Sequence, residues 1–184
     1  NWRSEWGYFV TDLVMIENIT IKNNGGGIYL GCDGVVKIAN FNITNNLGAG
    51  LGIVGDAADF VLIENMTISD NSDDGIIVKA YQNIIIRNVA VVGNNGCGIF
   101  VKGRNILIQK VDITHNSGEG LTIAGYSSDI VISNVSIINN YFGIYFDIGS
   151  ANIENVTISD IVLTDNLDYA IISDWSPGLD YYIN

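Results

Sequence analysis

Lys79 and Lys102 occupy matching places in two successive stretches of a repeating sequence, and Asp147 takes the same place two stretches later. Two ammonium groups side by side could hold a uronate carboxylate, and a lysine whose pKa is lowered can act as a base. Asp70, Asp73 and Asp74 share one turn. With asparagine carbonyls beside them they are a weak candidate for calcium, which takes about six to eight oxygens. The lone His115 has no Cys or second His nearby and reads as a surface residue rather than a metal ligand. No Ser–His–Asp, zinc or phosphate-loop pattern appears. No pair of carboxylates is spaced across a cleft for sugar hydrolysis with inversion. On this reading no residue is assigned as catalytic.

The elements that must position these groups follow from a repeat. Asn24, Asn46, Asn71, Asn94, Asn116, Asn140 and Asn166 recur at intervals of 22, 25, 23, 22, 24 and 26 residues. Each is preceded by two apolar-x-apolar triplets split by a polar residue, and a third triplet follows after a small residue. Val61-Leu62-Ile63, Met66-Thr67-Ile68 and Ile76-Ile77-Val78 are one such set. Alternation of this kind is a strand signal that sends the outer residues of each triplet inward. Every inward position but Ser173 is apolar. Asn18, Asn40, Asn65, Asn88, Lys110, Asn134 and Asp160 form a second polar row, suited to left-handed corners. The small residue before the third triplet is Gly27, Gly50, Gly75, Gly98, Gly120, Gly143 and then Ala170. Glycine there suits either a positive φ or a close backbone approach. A fixed period of this length predicts an all-β solenoid: a single-stranded parallel β-helix of about seven coils, with three short strands per coil.

This pattern, from about Val14 to Ser173, resembles the right-handed parallel β-helix proteins of the pectate-lyase-like superfamily, with their asparagine ladder at the tight turn. The resemblance implies the fold and the hand of the helix. It implies less about function, because that superfamily includes lyases, hydrolases, epimerases, phage tailspikes and surface proteins. It also implies that a site, where one exists, lies on the face of the third strands and the turns leading into them. The short turns here lack the long insertions from which catalytic β-helices build clefts. The Asp-Asp and His-Gly elements of polygalacturonase-like hydrolases are missing as well.

Composition narrows the partners. A formal net charge of −12 argues against nucleic acid, which needs a basic footprint. No long uninterrupted apolar run spans a membrane. The chain starts at Asn1 rather than Met and reads as a processed product or a fragment. Cys32 and Cys97 lie in different kinds of turn, three repeats and about 14 Å apart, beyond the reach of a disulfide. Residues 1–13, with Trp2 and Trp6, and residues 174–184, with Tyr181 and Tyr182, depart from the repeat and read as caps or docking segments around a β-helix domain of residues 14–173.

Outward positions complete the reading. One row, on the third strands, includes Tyr29, Ile77, Phe100 and Tyr145 and could stack on sugar rings alongside Lys79, Lys102 and Asp147. Another, through Leu62, Ile85, Leu107 and Val131, suits a protein neighbour. Five Asn-x-Ser/Thr motifs occur. Asn18, Asn65 and Asn134 among them are expected to be buried, leaving Asn42 and Asn155 as glycan acceptors if the chain is extracellular. The leading expectation is a non-catalytic structural β-helix, extracellular or on a cell or virion surface, that self-associates into a filament, sheath or oligomer. The alternative is a module that binds or processes polysaccharide, as a lyase or hydrolase would, through its third-strand face. No cofactor is expected beyond the weak calcium candidate.

Overall fold

The computed structural model describes residues 13–55, 57–149 and 152–174. Thirteen strands form one parallel assembly: β1 (Leu13–Glu17), β2 (Thr20–Lys22), β3 (Ile28–Gly31), β4 (Val35–Thr44), β5 (Leu51–Gly55), β6 (Phe60–Ser69) and β7 (Ile76–Val92), followed by β8 (Ile99–Thr114), β9 (Leu121–Ala124), β10 (Ser127–Ile138), β11 (Ile144–Asp147), β12 (Ile153–Thr164) and β13 (Ile171–Ser173). Each coil hydrogen-bonds to the next at the same phase of the repeat. Ile28 pairs with Leu51, Leu51 with Ile76, Ile76 with Ile99, Ile99 with Leu121, Leu121 with Ile144 and Ile144 with Ile171. Trp2, Trp6, Tyr181 and Tyr182 lie outside the described residues.

The inward residues of the middle coils, such as Ile63, Ile68, Ile86, Ile99, Ile108 and Ile113, are fully buried in one continuous core. Each such burial is worth about 1.5–3 kcal/mol relative to exposure, before the entropy of ordering the chain is counted. A one-residue slip in any strand would turn these side chains out to water, so the register is tightly held. Val14, Ile16, Ile158 and Leu163, in the first and last coils, are only partly buried.

Corners come from left-handed residues rather than from gaps in the strands. The second polar row has positive φ throughout: Asn18, Asn40, Asn65, Asn88, Lys110, Asn134 and Asp160 lie between 52° and 61°. Single residues of this kind redirect the chain without breaking the pairing, which is why β7 and β8 each run through two corners as one long strand. The same residues stand exposed. Asn18, Asn65 and Asn134 are therefore not buried as expected, because their side chains point out from the bend instead of stacking inside it. Asn42 and Asn155 are exposed too, so burial does not separate one glycosylation motif from another.

The buried ladder is the other asparagine row. Asn46, Asn71, Asn94, Asn116 and Asn140 are buried, and each amide Nδ2 donates to the Oδ1 of the next, at 2.9–3.2 Å. The same Oδ1 also accepts the backbone N–H of the preceding ladder residue, as in Asn71 N to Asn94 Oδ1 at 3.1 Å. Among the described residues, no buried side-chain nitrogen or oxygen lacks a partner. The glycines before the third strands serve close approach, not positive φ. A Cβ on Gly98 would sit 2.5 Å from Ile113 Cγ2 and 2.6 Å from the Gly120 carbonyl oxygen.

Candidate functional site

The connection from the third strand of one coil to the first strand of the next varies in length, and that variation makes a groove. On β7 the connecting residues after Val78 are Lys79-Ala80-Tyr81-Gln82, while on β8 the residues after Val101 are Lys102-Gly103-Arg104. Lys79 pairs with Lys102 and Gln82 with Arg104, so the register shifts by one residue between them. The shorter connection lies back between Tyr81 on one side and Tyr126 on the other. The result is a groove of about 200 Å³ lined by Lys79, Ala80, Tyr81, Lys102, Gly103, Arg104 and Tyr126.

Its floor depends on Gly103, whose N–H donates to Ser127 Oγ at 3.1 Å. Ser127 is buried and donates in turn to the Ala124 carbonyl at 2.6 Å. Each of the groove's three cations stands against a ring on an adjacent coil, and two of those rings, Tyr81 and Tyr126, line the groove. Lys79 Nζ stands 5.1 Å from the centre of the Phe100 ring, Lys102 Nζ stands 5.1 Å from Tyr126, and the Arg104 guanidinium stands 5.7 Å from Tyr81. At partly exposed sites each contact contributes about 0.5–1 kcal/mol. Three of the eight Lys and Arg residues of the chain converge here. Among the described residues the one ion pair lies elsewhere, between Arg87 and Glu64 at 2.7 Å. The groove is thus a positive island on an acidic protein.

Of the residues singled out in the sequence, Lys79, Phe100 and Lys102 come together. Tyr29 stands 73% exposed in the first coil, over Gly52, and Ile77 is half-buried between it and Phe100 in the same row. Asp147 is not among the residues that line the groove. Its backbone carbonyl accepts the Gly125 N–H at 2.7 Å and so holds the start of the Tyr126 segment. Tyr145 donates its hydroxyl to Asp174 Oδ2 at 2.6 Å, and that bond, with desolvation and neighbouring acids, pushes its pKa up. In the aliphatic row Leu62, Ile85 and Leu107 are half-buried and Val131 is 40% exposed, so the row is narrower than alternation alone implies.

Asp70 occupies a left-handed corner with φ 54°, and Asp74 turns its Oδ1 back to accept the Cys97 N–H at 2.7 Å. Among the described residues no three His, Cys, Asp or Glu side chains are placed to hold a metal ion. Burial raises the pKa of Asp74; the Cys97 hydrogen bond and Lys79 lower it, while Asp73 and Glu119 add to the rise. Cys97 is buried with its thiol pKa pushed up to about 12, mainly by desolvation. Neither cysteine is in a disulfide. His115 is exposed at a corner with φ 59°, and its Nε2 lies 3.2 Å from Asn139 Nδ2.

Spacing does not pick out Tyr81, Gly103, Arg104 or Tyr126, because they lie outside the apolar triplets, in connections whose length changes from coil to coil. The available signal was repeat length: the interval from Asn94 to Asn116 is 22 residues, between intervals of 23 and 24.

A sequence profile described as "Right handed beta helix region" matches residues 26–183. The chain belongs to the right-handed beta helix family. Two solved structures share this right-handed beta helix fold, both A-modules of mannuronan C-5 epimerases from Azotobacter vinelandii. The AlgE6 module is 14% identical, with a TM-score of 0.55 over 88% of this chain and 58% of its own. The AlgE4 module is 14% identical, with a TM-score of 0.56 over 89% of this chain and 56% of its own. This right-handed beta helix therefore spans a little over half the length of either structure. At that identity the likeness is one of fold. No curated protein matches the sequence.

Proposed function

We propose that this β-helix binds an acidic polysaccharide of the uronate class at the groove formed by Lys79, Lys102 and Arg104 with Tyr81 and Tyr126. One observation carries the reading: three cations converge on aromatic rings, and none of them is in an ion pair among the described residues. A uronate offers both complements, a carboxylate for the ammonium and guanidinium groups and an apolar ring face for the tyrosines. The two solved structures of similar fold are modules of enzymes named for a polyuronate, mannuronan, which accords with this ligand class. Such a ligand would be met outside a cell or on a cell or virion surface.

Calorimetric titration with oligouronates, against neutral glucan oligomers of equal length, tests the proposal. Uronate binding should weaken about tenfold or more in a Lys79→Ala/Lys102→Ala double variant, equivalent to about 1.4 kcal/mol or more. A wild-type protein that binds no uronate oligomer would sink it. Turnover is tested separately. Asp74, with its raised pKa and its electrostatic coupling to Lys79, is the acid closest in character to a proton-transfer group. New unsaturated ends or a changed sugar epimer by NMR would mark a processing enzyme.

Self-association is the second reading. It rests on the row of Leu62, Ile85, Leu107 and Val131, which stack in register on four adjacent coils and remain partly exposed. Sedimentation velocity with a Leu107→Glu control distinguishes the two readings, and a monomer at all concentrations removes this one.

A further inference from the structure

We infer that Tyr126 is held in a strained backbone conformation in order to present its ring to the ligand, and that it is the sugar-stacking residue of the groove. This rests on the groove being a uronate site. Among the described residues eighteen other than glycine have positive φ, and seventeen of them are Asn, Asp, Lys110 or His115; Tyr126, at 67°, is the one with a phenol ring. Bulky side chains rarely adopt this region, whereas Asn does so at little cost. The coil does not need a tyrosine here for packing, because the side chain is 65% exposed. The bend itself is enforced from the neighbouring coil. Gly125 N–H donates to the Asp147 carbonyl at 2.7 Å and Tyr126 N–H to the Asn152 carbonyl at 3.0 Å. Strain that the surroundings impose and packing does not require marks a position kept for a function.

The ring has one. Lys102 Nζ sits 5.1 Å from its centre, so one face of the phenol lies beside the ammonium while the ring borders the groove opposite Tyr81. A uronate whose carboxylate meets Lys102 lays its apolar ring face against Tyr126. The contact selects a pyranose carrying a charge over a simple anion of equal charge.

A pair of corner substitutions separates fold from function. Lys110 also holds a positive φ, at 55°, but it lies outside the groove. Tyr126→Asn and Lys110→Asn should each raise the thermal midpoint, by about 2–4 °C if about 1 kcal/mol of strain is relieved. Only Tyr126→Asn should weaken oligouronate binding, by about tenfold, while acetate binding, measured by chemical-shift titration, stays unchanged. Tyr126→Phe should bind as wild type, since the ring face and not the hydroxyl makes the contact. Unchanged oligouronate affinity in Tyr126→Asn, with a loss in Lys79→Ala/Lys102→Ala, would overturn this inference alone. A lowered midpoint in Tyr126→Asn would also overturn it, because the ring would then be serving the fold. Absence of uronate binding by the wild type would overturn the groove reading itself and this inference with it.

Discussion

A Cβ added to Gly103 would stand 2.6 Å from the carbonyl oxygen of Ala80. That approach is what lets the short connection of one coil sink below its neighbours and open the groove. Gly103→Ala must push the backbone of the two coils apart, and it would also meet Ile84 Cδ1 at 2.6 Å. The expected cost is about 1–3 kcal/mol in denaturant unfolding, with weaker uronate binding at 25 °C where the variant is fully folded. Stability within 0.5 kcal/mol of wild type (about the spread of ordinary surface substitutions) would contradict the close approach.

The ladder makes a sharper demand on stability. Asn94 Oδ1 accepts from both the backbone and side-chain nitrogens of Asn71, and its Nδ2 donates to Ile68 O and Asn116 Oδ1. Asn94→Ala leaves several buried polar groups unpaired, at about 1–3 kcal/mol each where water cannot reach them. Its exposed neighbour serves as a control. Asn95→Ala should change stability by less than about 0.5 kcal/mol. Urea titrations of the two variants compare them directly.

Asp74 sets a pH dependence whose sign can be worked out. Its pKa in the folded chain lies above the ordinary 3.8, so between the two values the folded state binds more protons than the unfolded one. Stability therefore falls as pH rises through that window, and the cost persists at neutral pH. Asp74→Asn keeps an Oδ1 to accept the Cys97 N–H at 2.7 Å and removes the half-buried charge. The variant should be more stable than wild type at pH 7, with the difference vanishing below pH 3.8. Equal pH profiles for the two proteins would refute the shift.

Cys97 should be chemically silent in the native state. Its thiol is buried and its pKa is pushed up to about 12 from 9.0, so little thiolate exists at pH 8. In a Cys32→Ser background, a thiol-reactive dye should label no Cys97 under native conditions and one equivalent in denaturant. Rapid native labelling would show that this third-strand turn opens readily.

Much of the column is legible in the residues, for a physical reason: a solenoid buries each coil against copies of itself, so one local pattern is repeated and amplified. The apolar triplets, the Asn24 to Asn166 ladder and the left-handed corner row all repeat, and each is found where the alternation and the corner chemistry of Asn put it. Asn18, Asn65 and Asn134 show the limit of that logic. Their residue type indicated a turn, but whether the amide pointed in or out depended on which side of the bend it stood. Lys79 and Lys102 were legible as a pair because they share a phase of the repeat. Tyr81, Arg104 and Tyr126 were not, since each belongs to an irregular connection where no period exists to compare against.

The sequence by itself determined the all-β solenoid, its coil number, its inward face and the asparagine row that ties coil to coil. Those features rest on interactions between residues one repeat apart, which periodicity exposes directly. Tertiary structure decided which outward residues meet. The one-residue offset between β7 and β8, the close approach at Gly103 and the left-handed Tyr126 bring cations and rings from three coils into one groove. A departure from the repeat places side chains by the path of the backbone around it, and that path exists only once the coils are stacked.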